Sequence, residues 1–125
     1  MLDIGAGAGR AALVLQDEGH DVVALDVSEG ATNVCRQRGV RATFTGSVFD
    51  LAATAPEPFD TFLGMGNNLA LMGTGDAAAS FFASLDGLSA PAARLVGNLA
   101  LVANFGQPRL YQTPRSVRLG MDIAF

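Results

Sequence analysis

The sequence predicts an α/β domain built on a doubly wound, mostly parallel sheet of about five strands in the order 3-2-1-4-5. Three observations predict it. Short apolar runs alternate with helix-like stretches, as in successive βαβ units. A glycine-rich turn, Gly5-Ala6-Gly7-Ala8-Gly9, separates the first apolar run from the first helical stretch. An acid, Asp26, then closes the second apolar run.

Residues 1–4 are the stub of a first strand, and the glycine turn follows it. Residues 11–17 read as a helix with apolar Ala12, Leu13 and Leu15, closed by Gly19 as a C-terminal cap. Residues 22–25 are continuously apolar, as befits a strand covered on both faces. Ser28 is a good N-cap for a helix over 29–38 that Gly39 ends. Residues 40–45 alternate and carry β-branched side chains, which predicts a third strand. A loop holding Pro56 and Pro58 leads to a fourth strand over 59–65. Residues 76–88 form the next crossover helix, with Asp76 near its positive end. Residues 94–102 are apolar enough for a fifth strand inside a sheet. Beyond Asn104 the pattern is irregular, and a last strand over 117–125 is not distinguished from loop.

Composition narrows the function classes. With 125 residues, half of them apolar, the chain has room for one globular core. No apolar run approaches the ~20 residues that span a bilayer, and Asp3 stands where a secretory leader carries positive charge. No membrane partner is expected. The single cysteine, Cys35, forms no internal disulfide and no metal cluster with the single His20, so a reducing, cytoplasmic setting fits. A net charge of −4 argues against a nucleic-acid-binding surface. Every basic side chain is arginine, which removes Schiff-base and P-loop lysines together.

The glycine turn and Asp26 carry the functional signal. Glycines allow a tight turn and close approach of a ligand, whose polar groups meet the free N–H groups of the helix start. An acid ending the second strand is placed to accept hydrogen bonds from ribose hydroxyls. The pair therefore predicts a nucleoside site across the C-terminal ends of the strands. A dinucleotide fingerprint wants a third small residue where Arg10 stands. Asp3, two residues before the first glycine, suits a cationic ligand better than a pyrophosphate.

The stretch Asp3-Ile4-Gly5-Ala6-Gly7-Ala8-Gly9 resembles the acid-x-G-x-G-x-G signature of class I S-adenosylmethionine-dependent methyltransferases, and the resemblance extends in order over roughly the first hundred residues. It implies a Rossmann-like fold and S-adenosyl-L-methionine as cofactor. Asp3, Gly5, Ala6, Gly7 and Gly9 then hold the methionine part, with Asp3 equally readable as an acceptor for loop amides. Asp26 binds the ribose hydroxyls, with Val27 beside it. Ser47 and Val48 border the adenine; Ser47 stands where the family often has an acid. Gly64 and Met65 pass beneath the donor. Asn67 and Asn68 face donor or acceptor, or are loop residues. His20, Cys35, Asp50, Asp60 and Met72 read as structural. The Asn/Asp-Pro-Pro-Tyr/Phe motif of many amino-group methyltransferases is absent, so no catalytic residue is named.

The resemblance implies methyl transfer to a small-molecule acceptor of unspecified identity, with the oligomeric state left open. The family's leading helices and last two strands have no clear counterpart. The expectation is thus a core incomplete at both ends, with 1–103 as the cofactor-binding part and 104–125 unassigned. The alternatives are an NAD-dependent oxidoreductase and a nucleoside-binding fragment without turnover.

Overall fold

The computed structural model describes residues 1–66, 68, 72–73 and 75–98. Five strands and four helices follow in the order β1 (Leu2–Ile4), α1 (Arg10–Asp17), β2 (Val23–Asp26), α2 (Glu29–Gln37), β3 (Ala42–Thr45), α3 (Val48–Ala52), β4 (Phe59–Gly64), α4 (Asp76–Gly87) and β5 (Ser89–Gly97). The sheet order is β3-β2-β1-β4-β5, as predicted, and all four strand pairings are parallel. β1 lies between β2 and β4, with Asp3 opposite Ala24 on one side and Leu63 on the other. The reversal of strand order therefore falls at the end of β1, where the glycine turn begins.

Strand alternation divides the core into two layers. Leu2, Ile4 and Leu25 pack on one face with Phe62, Phe81 and Leu85, where α3 and α4 also pack. Ala24 points to the other face, among Ala12, Val22, Cys35 and Val40. Phe62 and Leu85 are fully buried, and truncating Leu85 to alanine would cost about 2–5 kcal/mol. Asp3 lies between Leu2 and Ile4, so its carboxylate belongs to the face shared with α1 and α2.

Two expectations need correction. The segment after β3 contains a helix, α3, where only a loop was expected. Its signal was in the sequence: Ser47 and Asp50 form a reciprocal capping box. β5 begins at Ser89, earlier than the predicted residue 94. Its register on β4 jumps, with Phe59 opposite Ser89 but Thr61 opposite Arg94, around Pro91 and a left-handed Ala92 (φ 63°). Within β5, Ala93 and Leu95 are buried while Arg94 and Val96 are exposed. The strand stands at the described edge of the sheet with one face covered, rather than buried on both sides. The predicted residues 99–102 and the segments 104–125 and 117–125 lie outside the described residues. Among those described, no helix is long and apolar enough to cross a membrane, and no cluster of His, Cys, Asp or Glu is arranged to hold a metal.

Candidate functional site

The glycine turn sits at the C-terminal ends of β1 and β2, and its carbonyls are all turned into the protein. Asn68 Nδ2 donates to the carbonyls of Ile4 (3.1 Å) and Gly5 (2.6 Å). The Ala6 carbonyl accepts from the Gly9 N–H, and that of Gly9 from the Leu13 N–H. Cys35 Sγ donates to the Gly7 carbonyl at 3.1 Å, and the Arg38 guanidinium donates to that of Ala8. Six consecutive acceptors are thus occupied from behind. Of the turn's amides, those of Gly5 and Ala6 donate to the Leu25 carbonyl, that of Gly7 to Asp26 and that of Gly9 to Ala6, so the N–H groups that point to a ligand site are that of Ala8 and those that open α1.

The glycines have separate physical reasons. A Cβ on Gly9 (φ 75°) would lie 2.9 Å from both Cys35 Sγ and Val40 Cγ2, so Gly9 lets α1 pack against the α2–β3 layer. This is the close-packing duty that a dinucleotide fingerprint places one residue later; Arg10 is exposed and opens α1. Gly7 (φ 55°) has no heavy atom within 4 Å of where a Cβ would stand, so it borders open space.

Helix α1 differs from its two successors in how its N-terminus is capped. Ser28 caps α2, its hydroxyl accepting from Ala31 N–H at 3.3 Å, and Ser47 caps α3. At α1 the N-cap is Gly9, with no side-chain cap and no acid in the first turn. The carboxylate that does reach this end comes from β1. The Ala12 backbone N–H lies close enough to favour the charged Asp3 carboxylate, while the Asp3 Oδ2, fully buried, has no hydrogen-bond partner among the described residues. Burial pushes the Asp3 carboxyl up to about 6; the Ala12 amide works against this and the Asp26 charge adds to it.

Asp26 binds the turn to the next helix. Its Oδ2 accepts the Gly7 N–H and its Oδ1 the Ser28 N–H, both at 2.9 Å. Each oxygen keeps a lone pair for a further donor. The Cys35 thiol behind the turn is pushed up by burial, then by the Asp26 and Asp3 charges, which keeps it a donor at neutral pH.

On the elements that follow β2, β3 and β4 three large apolar side chains stand exposed: Val27 (74 %), Phe49 (49 %) and Met65 (44 %). Val27 directly follows β2, and Phe49 stands in the first turn of α3, the helix that follows the neighbouring strand β3. Phe49 was not singled out in the sequence, where nothing distinguishes it from a core phenylalanine. Val48 beside it is buried in the core, and the Ser47 hydroxyl is engaged with Asp50, accepting its N–H at 3.2 Å and donating to its Oδ2 at 2.6 Å. These bonds hold the Asp50 carboxyl below the usual carboxylate range. Gly64 is buried at the end of β4. Asn67 lies outside the described residues. A separate shallow cavity, lined by His20, Arg41 and Pro58 among others, opens at the N-terminal ends of the strands, away from all these groups.

Comparison with known proteins agrees with this geometry. A family model described as a methyltransferase domain matches residues 1–89. No curated protein matches the chain. Among solved structures, a SAM-dependent methyltransferase from Bacteroides fragilis, in complex with S-adenosyl-L-homocysteine, is 33 % identical with a TM-score of 0.69; the match covers 75 % of this chain and 39 % of that one. A protein solved in a study of the conversion of a disulfide bond into a thioacetal group during echinomycin biosynthesis is 31 % identical, TM-score 0.67, covering 77 % and 42 %. An amino pentose methyltransferase from Micromonospora echinaspora, solved with SAM bound, shares the fold at 21 % identity and a TM-score of 0.69, covering 82 % and 43 %. The chain thus spans about two fifths of the length of these structures.

Proposed function

The chain belongs to the methyltransferase-domain family, and we propose that it forms the S-adenosyl-L-methionine-binding core of a methyltransferase acting on a small-molecule acceptor. The observation that carries this reading is the glycine turn, with its carbonyls engaged from behind, its helix uncapped, and two acids beside it.

The residues present fit that cofactor. Open space borders Gly7, where a Cβ would intrude, and the buried Asp3 Oδ2 has no hydrogen-bond partner among the described residues. In this reading Asp3, Gly5, Ala6, Gly7 and Gly9 shape the pocket for the amino-acid part: the Ala8 amide and the start of α1 meet its carboxylate, and the acids favour its positive charges. Asp26 accepts from the ribose hydroxyls with the lone pairs that Gly7 and Ser28 leave. Val27 and the exposed Phe49 offer apolar cover to the adenine, whose edge meets the backbone at Val48; Ser47 holds that turn in place. Gly64 and Met65 border the methyl side.

When bound, the cofactor supplies a methyl group on a sulfonium, a good leaving group. The chain's contribution is then to fix orientation and keep the methyl in a dry, apolar surround, where alignment supplies much of the acceleration. No general base is assigned. A small-molecule acceptor is supported by the echinomycin-related and amino pentose neighbours. The NAD alternative loses ground to the family match and to Gly9, which packs the helix one residue before the dinucleotide pattern requires.

The test is a thermal melt with S-adenosylhomocysteine or NADH. At a hundredfold excess over Kd the first should add about 2.7 kcal/mol of stability, a shift of several degrees. NADH should add none. Stabilisation by NADH alone would reverse the assignment.

A further inference from the structure

The glycine turn is held on its methyl side by one side chain that comes from far along the sequence. Asn68 follows β4, the neighbour of β1 in the sheet, and its own N–H donates to the Met65 carbonyl at 3.3 Å, closing the turn that leaves β4. Its side chain then crosses to β1. The amide nitrogen donates to two successive carbonyls, Ile4 at 3.1 Å and Gly5 at 2.6 Å, at the point where β1 becomes the glycine turn. Only the nitrogen of the amide can face two carbonyl oxygens, since it alone brings two protons. The contact is close enough to constrain the sequence. A Cβ on Gly5 would stand 2.5 Å from Asn68 Nδ2, so the absence of a side chain at Gly5 and the presence of the amide at Asn68 depend on each other.

We propose that Asn68 is a positioning residue that sets the amino-acid half of the cofactor site, coupling the exit of β4 to the shape of the glycine turn. The inference rests on the reading of that turn as the cradle of the cofactor's amino-acid arm. Asn68 holds the carbonyls, and the Leu25 carbonyl holds the amides (Gly5 N–H at 2.9 Å, Ala6 N–H at 3.0 Å), of the same two peptide units, so the path of the backbone into Gly7 and the Ala8 amide is fixed from both sides. The Asp26 contact with Gly7 secures the nucleoside half without help from Asn68. The two halves therefore have separate anchors, and loss of Asn68 is selective.

That selectivity is the test. Calorimetric titrations on the full chain compare S-adenosylhomocysteine with 5′-methylthioadenosine, which keeps the nucleoside and the sulfur and lacks the amino-acid arm. For Asn68→Ala, affinity for S-adenosylhomocysteine should fall about tenfold while that for 5′-methylthioadenosine stays within about twofold. Asn68→Asp keeps the shape but turns a carboxylate onto two carbonyl oxygens. It should bind S-adenosylhomocysteine more weakly than Asn68→Ala at pH 7.5, and regain affinity as the pH falls toward 5.5 and the introduced carboxyl takes up a proton it can donate. The wild-type chain should lose affinity over the same interval, as Asp3 is protonated. Equal losses for both ligands, unchanged S-adenosylhomocysteine affinity in Asn68→Ala, or an acid response of Asn68→Asp parallel to the wild type would each overturn the proposal. A wild-type chain that binds neither ligand would overturn the cofactor reading itself, and this inference with it.

Discussion

Two turns border the candidate site, and they are held in opposite ways. The β3–α3 turn is secured within three residues, Ser47 and Asp50 exchanging hydrogen bonds across a capping box. The β1–α1 glycine turn has no such local device. Its partners are Leu25, Asp26, Cys35, Arg38 and Asn68, contributed by three other segments of the chain: β2, the end of α2 and the exit of β4. A locally capped turn has met the hydrogen-bonding needs of its own helix start. The turn shaped from a distance leaves its helix start uncapped, and an uncapped helix N-terminus is a place for a ligand. Capping pattern therefore distinguishes the turn proposed to bind the cofactor from the β3–α3 turn, while α4, whose N-cap Gly75 also lacks a side-chain cap, carries an acid of its own, Asp76, in its first turn.

The sharpest way to break the comparison is to uncouple the glycine turn from α2. Gly9→Val places a β-branched side chain at φ 75° and against Cys35 and Val40. It should destabilise the domain by about 3–5 kcal/mol in chemical denaturation. A midpoint close to wild type would show that the turn does not depend on the layer behind it.

Asp26→Ala removes the Gly7 and Ser28 contacts together with the proposed ribose acceptor. The expected loss of S-adenosylhomocysteine affinity is about 2–4 kcal/mol by calorimetry. Unchanged affinity would take Asp26 out of the site and leave it only a loop anchor.

Asp3 gives the comparison a pH signature. Its folded carboxyl is raised from 3.8 to about 6, so the unfolded chain ionises first as pH rises. Its ionisation therefore costs stability, on the order of 3 kcal/mol once complete above about pH 7, and this cost is relieved as pH falls through 6 toward 4. Roughly 1 kcal/mol of that relief should appear between pH 7 and 5, and Asp3→Asn should flatten the slope. Asp50 in the other turn works in the opposite sense and at lower pH. Its carboxyl is held below 3.8, so its contribution is present above that value and is lost as pH falls further. A slope unchanged by Asp3→Asn would assign the response to another group.

The smallest effect is expected at the locally held turn. Ser47→Ala should cost about 1 kcal/mol of stability and weaken S-adenosylhomocysteine by about threefold or less. A larger loss of affinity would make the β3–α3 turn an equal partner in binding, and the distinction between the two turns would collapse.

The sequence by itself determined the strand order, the parallel sheet, and the placement of Asp3, the glycines and Asp26 around one turn. Those features are written in short-range pattern: apolar runs of strand length, glycines between strand and helix, an acid at a strand end. It also holds the Ser47–Asp50 signal for α3, a short helix that the Pro56–Pro58 loop follows closely. The bulge that starts β5 at Ser89 was hidden because Pro91 argues against a strand until a neighbouring strand shows which residues pair. Only the tertiary structure decided what surrounds the glycine turn. Cys35 and Asn68 are 28 and 63 residues from the carbonyls of Gly7 and Gly5 that they bond. No local periodicity carries such pairings; they arise when the sheet brings β1, β2 and β4 side by side. The exposure of Phe49 and the burial of the Asp3 oxygen that has no partner among the described residues were likewise settled by packing, because burial belongs to the assembled layers and not to any one residue.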